Sequence, residues 1–236
     1  MKLTAMTYNI RSGRNMAGEL NIAYAAQVIG ELAPDLVNLN EVRARSADVG
    51  PVNQAQQLGE LLGMEWRFGK SIPFMGGAYG NAMLSRFPVI SSEVVHIPDT
   101  RQADSRFEHR TVFKNVLDVD GEPLTLLGAH FGLSVAERIH AVATVLRLAR
   151  ETDGPLLLMG DLNAEPDQSE LAPLFETFTD CFDRAMLPKT YPASGPEIRI
   201  DYIMTRGLTV KNALAFESLN SDHLPLFCSL ESSIAR

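Results

Sequence analysis

The stretch Leu156-Leu157-Leu158-Met159-Gly160-Asp161-Leu162-Asn163 does most to determine the expected fold of this chain. Four apolar residues in succession indicate a strand that is covered on both faces, and Asp161 and Asn163 stand where that strand ends. Residues 124–127 show the same unbroken apolar character. Helical patterns come before and after these strands, so we expect an α/β fold with strands at its centre and helices outside.

Three longer helices are predicted from apolar spacing and from start and stop signals. The first covers residues 21–33 and the second residues 52–62, with a proline immediately before it. The capping box Ser134-Val135-Ala136-Glu137 opens the third. Its apolar face is predicted to consist of Ile139, Val142, Ala143, Leu146 and Ala149.

Strands account for most of the remaining pattern. They are predicted at residues 2–10, 35–40, 65–69, 80–84, 89–97, 107–119, 124–131, 155–159, 199–205, 209–215 and 224–230. Asp120-Gly121 is typical of a hairpin turn between two of them. A short helix is expected from about Ser169, interrupted at Pro173.

Polar side chains stand at the ends of these strands. Asn9 and His130 end their strands, and Glu41, Asp161 and Asn163 follow theirs. Asp201 sits near the start of a strand, and the pair Asp222-His223 precedes one. If all of them meet at one place, neighbouring strands must run in opposite directions, which predicts a mixed or antiparallel sheet. Two sheets packed together and sheathed by helices fit this pattern, and a single sheet covered on both faces is the alternative.

Composition is that of an ordinary globular chain, with 45% hydrophobic and 21% charged residues among 236. No linker, repeat or low-complexity block divides it, so we expect one domain over residues 1–236. No apolar run reaches membrane-spanning length and no signal peptide is evident, which makes the cytoplasm the expected location. Cys181 and Cys228 have apolar neighbours and are expected to be buried, reduced thiols.

The types of residue at the strand ends suit hydrolysis of a phosphoester. Such a reaction needs a cation, a base for water and donors for the developing charge. Glu41 and Asn9 suit a magnesium ion, which Asp222 would join. Asp161 would take a proton from water while Asn163 orients it. His130 would donate to the phosphate, and Asp201 would fix the tautomer of His223.

Several runs in the chain resemble, in order and spacing, the endonuclease/exonuclease/phosphatase superfamily. They are Thr7-Tyr8-Asn9-Ile10, Leu39-Asn40-Glu41-Val42, Gly80-Asn81-Ala82-Met83-Leu84-Ser85-Arg86, Gly160-Asp161-Leu162-Asn163, Arg199-Ile200-Asp201-Tyr202-Ile203 and Ser221-Asp222-His223-Leu224-Pro225, together with His130-Phe131-Gly132. The resemblance implies an α/β fold of the four-layer α/β/β/α type, with two packed mixed β-sheets. It also implies catalysis with Mg²⁺ or Mn²⁺.

By matching position, the resemblance gives each motif residue a role. Asn9, Glu41 and Asp222 would hold the metal, and the catalytic residues would be His130, Asp161, Asn163, Asp201 and His223. Asn81 would support the floor of the site. Two positions depart from the commoner pattern: Asn40 stands where glutamine is usual, and Arg11 stands where nucleases of the family often carry an acid.

Arg110 and Tyr79 are the further candidates for substrate contact, Arg110 from a strand and Tyr79 from a glycine-rich loop. Residues 99–110 are rich in arginine and are interpreted as a solvated connection, with a specificity loop as the alternative. Arg11, Arg110 and residues 101–106 would together suit one anionic group near the metal.

The expected function is divalent-metal-dependent hydrolysis of a phosphoester, with a phosphodiester favoured. The net charge of −8 disfavours a long duplex and favours a small or single-ended substrate. A monomer is expected. The alternatives are a nuclease or a phosphomonoesterase and, from another class of protein, a non-catalytic binding module that keeps the fold.

Overall fold

The computed structural model describes residues 1–99, 108–182 and 187–232. Residues 101–106, and the first residue of the strand predicted at 107–119, therefore lie outside the described part of the chain. The strands are β1 Lys2–Asn9, β2 Leu36–Ala44, β3 Glu65–Phe74, β4 Gly77–Ser85, β5 Val89–His96, β6 Thr111–Val119, β7 Glu122–His130, β8 Leu156–Asp161, β9 Thr179–Asp180, β10 Asp201–Arg206, β11 Leu208–Ala215 and β12 Leu226–Ser232. The helices are α1 Ala23–Leu32, α2 Gln54–Leu62, α3 Val135–Arg150 and α4 Ala172–Thr177, with 3₁₀ turns at Arg11–Gly13 and Ser169–Leu171.

The strands form two six-stranded sheets. Sheet 1 has the order β11-β12-β1-β2-β4-β3, and sheet 2 has the order β5-β6-β7-β8-β10-β9. β1 and β2 are parallel, as are β7 and β8, and the other pairs are antiparallel. The prediction of two mixed sheets is confirmed, and the single-sheet alternative is wrong.

Three apolar layers hold the sandwich together. One lies between the sheets and includes Leu36 and Met83 from sheet 1 and Leu126 and Met159 from sheet 2. A second lies between sheet 1 and helices α1 and α2, and a third between sheet 2 and helices α3 and α4. The result is the four-layer α/β/β/α arrangement. Both cysteines are free and buried, as predicted.

Helix α3 begins at the predicted capping box, and its buried face matches the predicted one in part: Val142 and Ala149 are buried and Leu146 is half-buried. Ser134 accepts from the backbone N–H of Glu137, and the Glu137 carboxylate accepts from that of Ser134. The inward side chains include Ala141, Val142, Val145, Leu148 and Ala149. Ala143 and Ile139 are exposed. Arg138 is also buried on this face, in an ion pair with Glu170 at 2.7 Å.

Other boundaries also differ from prediction for identifiable reasons. Asn53 caps α2 by accepting from the backbone N–H of Ala55, so that helix begins after the predicted position. Pro173 lies in the first turn of α4, where a missing N–H costs nothing, and does not interrupt the helix. No helix in the described residues has the length and apolar character that crossing a bilayer requires.

Candidate active site

Three predicted site residues stand side by side on neighbouring strands of sheet 2. His130 is paired in register with Asp161 across the parallel strands β7 and β8. Asp161 is in turn paired with Asp201 across the antiparallel strands β8 and β10. All three side chains are buried. Strand register alone therefore brings two carboxylates and an imidazole into one row.

Asn9 links this row to sheet 1. Its amide nitrogen donates to Oδ2 of Asp161 at 3.1 Å and to Oε1 of Glu41 at 3.2 Å. Its Oδ1 accepts from the backbone N–H of Arg11 at 3.1 Å. The amide therefore presents its nitrogen, not its oxygen, to the carboxylates. A metal contact through Oδ1 requires the amide to rotate, and the predicted role of Asn9 as a ligand stays a prediction.

Glu41 was predicted to follow its strand, but it lies inside β2 at a bulge. The register with β4 shifts between Leu39 and Val42, and Glu41 has a φ of 60°. This left-handed backbone is costly for a residue with a side chain. Burial raises the pKa of the Glu41 carboxyl, the hydrogen bond from Asn9 lowers it and the charge of Asp222 raises it, with a net rise.

Asn40 is a supporting residue that was not among the predicted site residues. Its side-chain nitrogen donates to Oδ1 of Asn81 and to the carbonyl of Ala129, both at 2.9 Å. Its Oδ1 accepts from the backbone N–H of Asp161 at 3.0 Å. Asn40 thus ties the two sheets together beneath the site, and Asn81 lies in that floor. An amide within an apolar strand, next to Glu41, was the available signal.

Asp201 and His223 form the predicted hydrogen bond. Oδ2 of Asp201 accepts from Nδ1 of His223 at 2.9 Å. Burial lowers the pKa of His223, but the charge and hydrogen bond of Asp201 and the charges of Asp161 and Asp222 outweigh it and raise the pKa to about 10. His223 is therefore an imidazolium at neutral pH. Oδ1 of Asp201 is buried without a hydrogen-bond partner in the described part of the chain.

His130 has the opposite environment. Its Nδ1 lies 2.8 Å from Nη1 of Arg110, and its Nε2 lies 3.5 Å from Oδ2 of Asp161. Burial and then the charges of Arg110 and His223 hold the pKa of His130 well below its ordinary value. His130 is therefore neutral, in contrast to His223.

The carboxylate of Asp161 is enclosed by the other predicted residues. Oδ1 accepts from the backbone N–H of Asn163 at 2.9 Å in an Asx turn, and the Asn163 side chain donates to the carbonyl of Phe131. Oδ2 faces Asn9 and His130, with Nε2 of His223 at 3.8 Å. Burial raises the pKa of Asp161 and the charge of Asp201 raises it further, which moves the carboxyl toward the range of a general base at neutral pH.

Two residues at the edge of this group form an ion pair. Nε of Arg11 lies 3.2 Å from Oδ2 of Asp222, and both side chains are partly exposed. The residue before Asp222, Ser221, donates to the carbonyl of Asn9 at 2.7 Å. Its position inside the Ser-Asp-His motif was the signal for this role. Tyr191, whose ring centroid lies 4.9 Å from that of His223, had no such signal.

Tyr79 and Arg110 lie behind the strand-end residues. Tyr79 lies in β4, paired with β3, and the prediction that it belongs to a loop is wrong. It is buried, with its ring 6.0 Å from that of Phe74. Burial raises the pKa of its hydroxyl, and the charge of Glu41 raises it further. Arg110 contacts His130, as described, and Nη1 also lies 3.2 Å from Oε1 of Glu108. Substrate contact by either residue stays a prediction.

The donor set fits a divalent cation. Ligand atoms of Asp161, Asp201 and His223 lie within 4.8 Å of one another. A protonated His223 has no lone pair for a cation, so the carboxylates of this group are the donors that suit a metal. The Glu41 carboxylate is linked to this group, because the amide nitrogen of Asn9 donates to both Glu41 and Asp161. Clustered carboxylates whose pKa values are raised by burial, with an unpartnered oxygen on Asp201, provide hard oxygen donors of the kind that Mg²⁺ and Mn²⁺ prefer.

The sequence profile of the Endonuclease/Exonuclease/phosphatase family matches residues 6–223. The chain belongs to this family, and the predicted resemblance is confirmed. Among curated proteins it is similar to YbhP of Escherichia coli (strain K12), with 28% identity over 182 residues, which cover 72% of this chain and 69% of that protein.

Two solved structures illustrate the shared fold. The mannosyl-6-phosphatase of Bacteroides thetaiotaomicron VPI-5482 superposes with a TM-score of 0.78 at 17% identity, covering 97% of this chain and 99% of that one. TDP2 of D. rerio, in complex with a single-strand DNA product, gives a TM-score of 0.73 at 18% identity and covers 98% and 99%. At these identities the likeness concerns the fold alone.

Proposed function

We propose that this chain is a divalent-metal-dependent phosphoester hydrolase that prefers a phosphodiester. The observation that carries the proposal is the surroundings of Asp161. Its Oδ2 is approached by the amide of Asn9, a neutral His130 and a cationic His223. A carboxylate with a raised pKa, set between one neutral and one charged donor, suits proton transfer beside an anionic substrate.

In the proposed reaction, Asp161 accepts a proton from the attacking water while the water oxygen bonds to phosphorus. The bond between phosphorus and the leaving oxygen breaks, and that oxygen departs with the electron pair. His223 stabilises the negative charge as an imidazolium, fixed by Asp201. His130 donates to a non-bridging phosphate oxygen. The backbone N–H of Asn163 holds Oδ1 of Asp161, which leaves Oδ2 to face the water.

The proposed metal site consists of Glu41 and Asp222, with Asn9 contributing through Oδ1 after rotation of its amide. When bound, Mg²⁺ or Mn²⁺ would supply a Lewis acid and offset the negative charge of the phosphate. The Arg11–Asp222 ion pair places a further positive charge beside this group. That arrangement supports one compact anion as substrate and offers little for a long duplex.

Phosphodiesterase, phosphomonoesterase and nuclease are the alternatives within the family, and they differ in the ester that they cleave. The mannosyl-6-phosphatase that shares the fold is named for a phosphomonoester, whereas the TDP2 structure holds a single-strand DNA product. Both names support a phosphoester, and the second is compatible with a single-ended diester. We propose that a small or single-ended phosphodiester is the better substrate and that duplex DNA is a poor one, in keeping with the net charge of −8.

The test is a panel of phosphomonoesters, small phosphodiesters, phospholipids, RNA and single- and double-stranded DNA, assayed with Mg²⁺, with Mn²⁺ and with a chelator. Asp161→Asn is the matched inactive control, and its turnover should fall by about 10²–10⁴-fold. Hydrolysis that the chelator abolishes would support the proposal. No turnover of any ester would favour the non-catalytic binding module, and equal turnover by Asp161→Asn would contradict the role of Asp161. Efficient incision of duplex DNA with poor turnover of small diesters would contradict the substrate preference.

A further inference from the structure

The two site histidines are held by partners of opposite charge. Nδ1 of His223 faces the Asp201 carboxylate at 2.9 Å, whereas Nδ1 of His130 faces the Arg110 guanidinium at 2.8 Å. An ionised carboxylate accepts hydrogen bonds and cannot donate one, whereas a guanidinium donates and cannot accept. The two partners therefore impose different proton positions on the two rings.

For His130 the consequence is a single tautomer. Arg110 remains protonated at any ordinary pH, so the 2.8 Å contact requires a lone pair on Nδ1 of His130. The ring proton must then be on Nε2. That nitrogen lies 3.5 Å from Oδ2 of Asp161, on the side where the other site residues converge.

We infer that Arg110 is a positioning residue that holds His130 in the Nε2–H tautomer and so makes its Nε2 a hydrogen-bond donor to the phosphate. The donation from His130 to the phosphate rests on the proposed function. The tautomer itself depends on the geometry alone. With the proton on Nδ1, Nε2 would carry a lone pair and would repel both Asp161 and a phosphate oxygen.

Arg110 is well placed for this indirect role. Its side chain is only 11% exposed, and Nη1, the atom that meets His130, also lies 3.2 Å from Oε1 of Glu108. The cavity that Arg110 and Glu108 line has a volume of about 10 Å³, room for one water molecule. The buried Nε of Arg110 has no hydrogen-bond partner among the described residues. The guanidinium contacts Nδ1 of His130 and also interacts with the Tyr79 hydroxyl, so its contact with the row of strand-end residues is the one to His130.

The proton position can be measured directly in the metal-free protein. The full chain labelled with ¹⁵N-histidine contains five histidines, and the His130→Gln variant identifies the signals of His130. Long-range ¹H–¹⁵N correlation at neutral pH should show an unprotonated Nδ1 and a protonated Nε2. In Arg110→Met, which removes the donor and keeps the length of the side chain, part of the His130 population should gain a proton on Nδ1.

Activity gives the second readout. Arg110→Met should lower kcat by about 10- to 100-fold, the usual effect of removing the group that orients a site histidine, with a smaller change in KM. Arg110→Lys retains a donor and the charge and should recover part of kcat. Glu108→Gln is the matched control, because it changes the other neighbour of Arg110 and should leave the His130 nitrogen signals unchanged.

Two results would overturn the inference: a protonated Nδ1 on His130 in the wild-type protein, or an Arg110→Met spectrum in which both His130 nitrogens are unchanged. Circular dichroism and the unfolding midpoint would show whether Arg110→Met is folded. If it is not, the wild-type spectrum still decides which nitrogen carries the proton. An Nε2–H tautomer in a chain that hydrolyses no phosphoester would refute the proposed function and would support the tautomer assignment.

Discussion

Asp201 on sheet 2 accepts a 2.9 Å hydrogen bond from His223, which lies three residues before β12 of sheet 1. The contact joins the two sheets at the point where the site residues meet. It also determines the charge of the histidine, because a buried imidazole without an anionic partner would lose its proton. One carboxylate thus sets both the orientation and the protonation of His223.

Asp201→Asn should make His223 lose its proton at a lower pH. The pKa of His223 is raised to about 10, so the wild-type imidazolium persists through neutral pH and is lost as the pH rises through that value. Without the Asp201 charge, the alkaline limb of the pH–rate profile should move to lower pH, and kcat at pH 8 should fall by about 10- to 100-fold. Asp118→Asn, in the distant β6–β7 hairpin, is the matched control. An unchanged alkaline limb would contradict the assignment.

Glu41→Gln should abolish metal-supported turnover while the protein stays folded. Glu41 packs against polar site residues and not in an apolar layer, so the change removes an anionic ligand and little packing. Activity should be measured over a Mg²⁺ titration, with Glu60→Gln on α2 as the control and circular dichroism to verify the fold. Wild-type activity of Glu41→Gln at saturating Mg²⁺ would show that Glu41 does not hold the metal.

Mg²⁺ should raise the thermal unfolding midpoint, and more so at pH 8 than at pH 6. The pKa values of Glu41 and Asp161 are raised in the folded protein, so their contribution to stability is lost as the pH rises through those pKa values. A cation binds the deprotonated carboxylates and offsets that loss. At a concentration of 100 times Kd, the stabilisation is about 2.7 kcal/mol. A midpoint that does not respond to Mg²⁺ at either pH would rule out a metal site here.

Asn40→Ala should destabilise the protein although Asn40 contacts no substrate in the proposed reaction. The change leaves the backbone N–H of Asp161 and the carbonyl of Ala129 without their partner. Each unsatisfied buried group costs about 1–3 kcal/mol. Urea unfolding would measure the loss, and Asn212→Ala on the exposed part of β11 is the control. Equal midpoints for the two variants would mean that Asn40 is not the support we describe.

Motif positions could be predicted from the sequence because they depend on strand ends, which local patterns reveal. His130 and Asp161 are examples, since each closes an apolar run. The bulge at Glu41 could not be predicted in this way, because it is a property of how β2 pairs with β4. Arg138 on the buried face of α3 pairs with Glu170, 32 residues away, and apolar spacing carries no information about that partner.

The contact between Arg110 and His130 shows the same limit. Arg110 was predicted to point toward the site, and it does lie near it, but its neighbour was not foreseen. Which atom of an arginine meets which atom of a histidine depends on how the residue just before β6 lies beside the end of β7. A motif identifies the residue types at a site, and three-dimensional pairing determines their proton positions.

Because Glu41 has a left-handed backbone, selection for heat resistance alone should replace it. Glycine adopts a φ of 60° freely, and the strain that a side chain suffers there is of the order of 1–3 kcal/mol. A library randomised at position 41 and screened only for survival at high temperature should therefore return glycine. Screened for turnover, the same library should return glutamate. Engineers who seek a hardier form of this protein should leave this residue untouched.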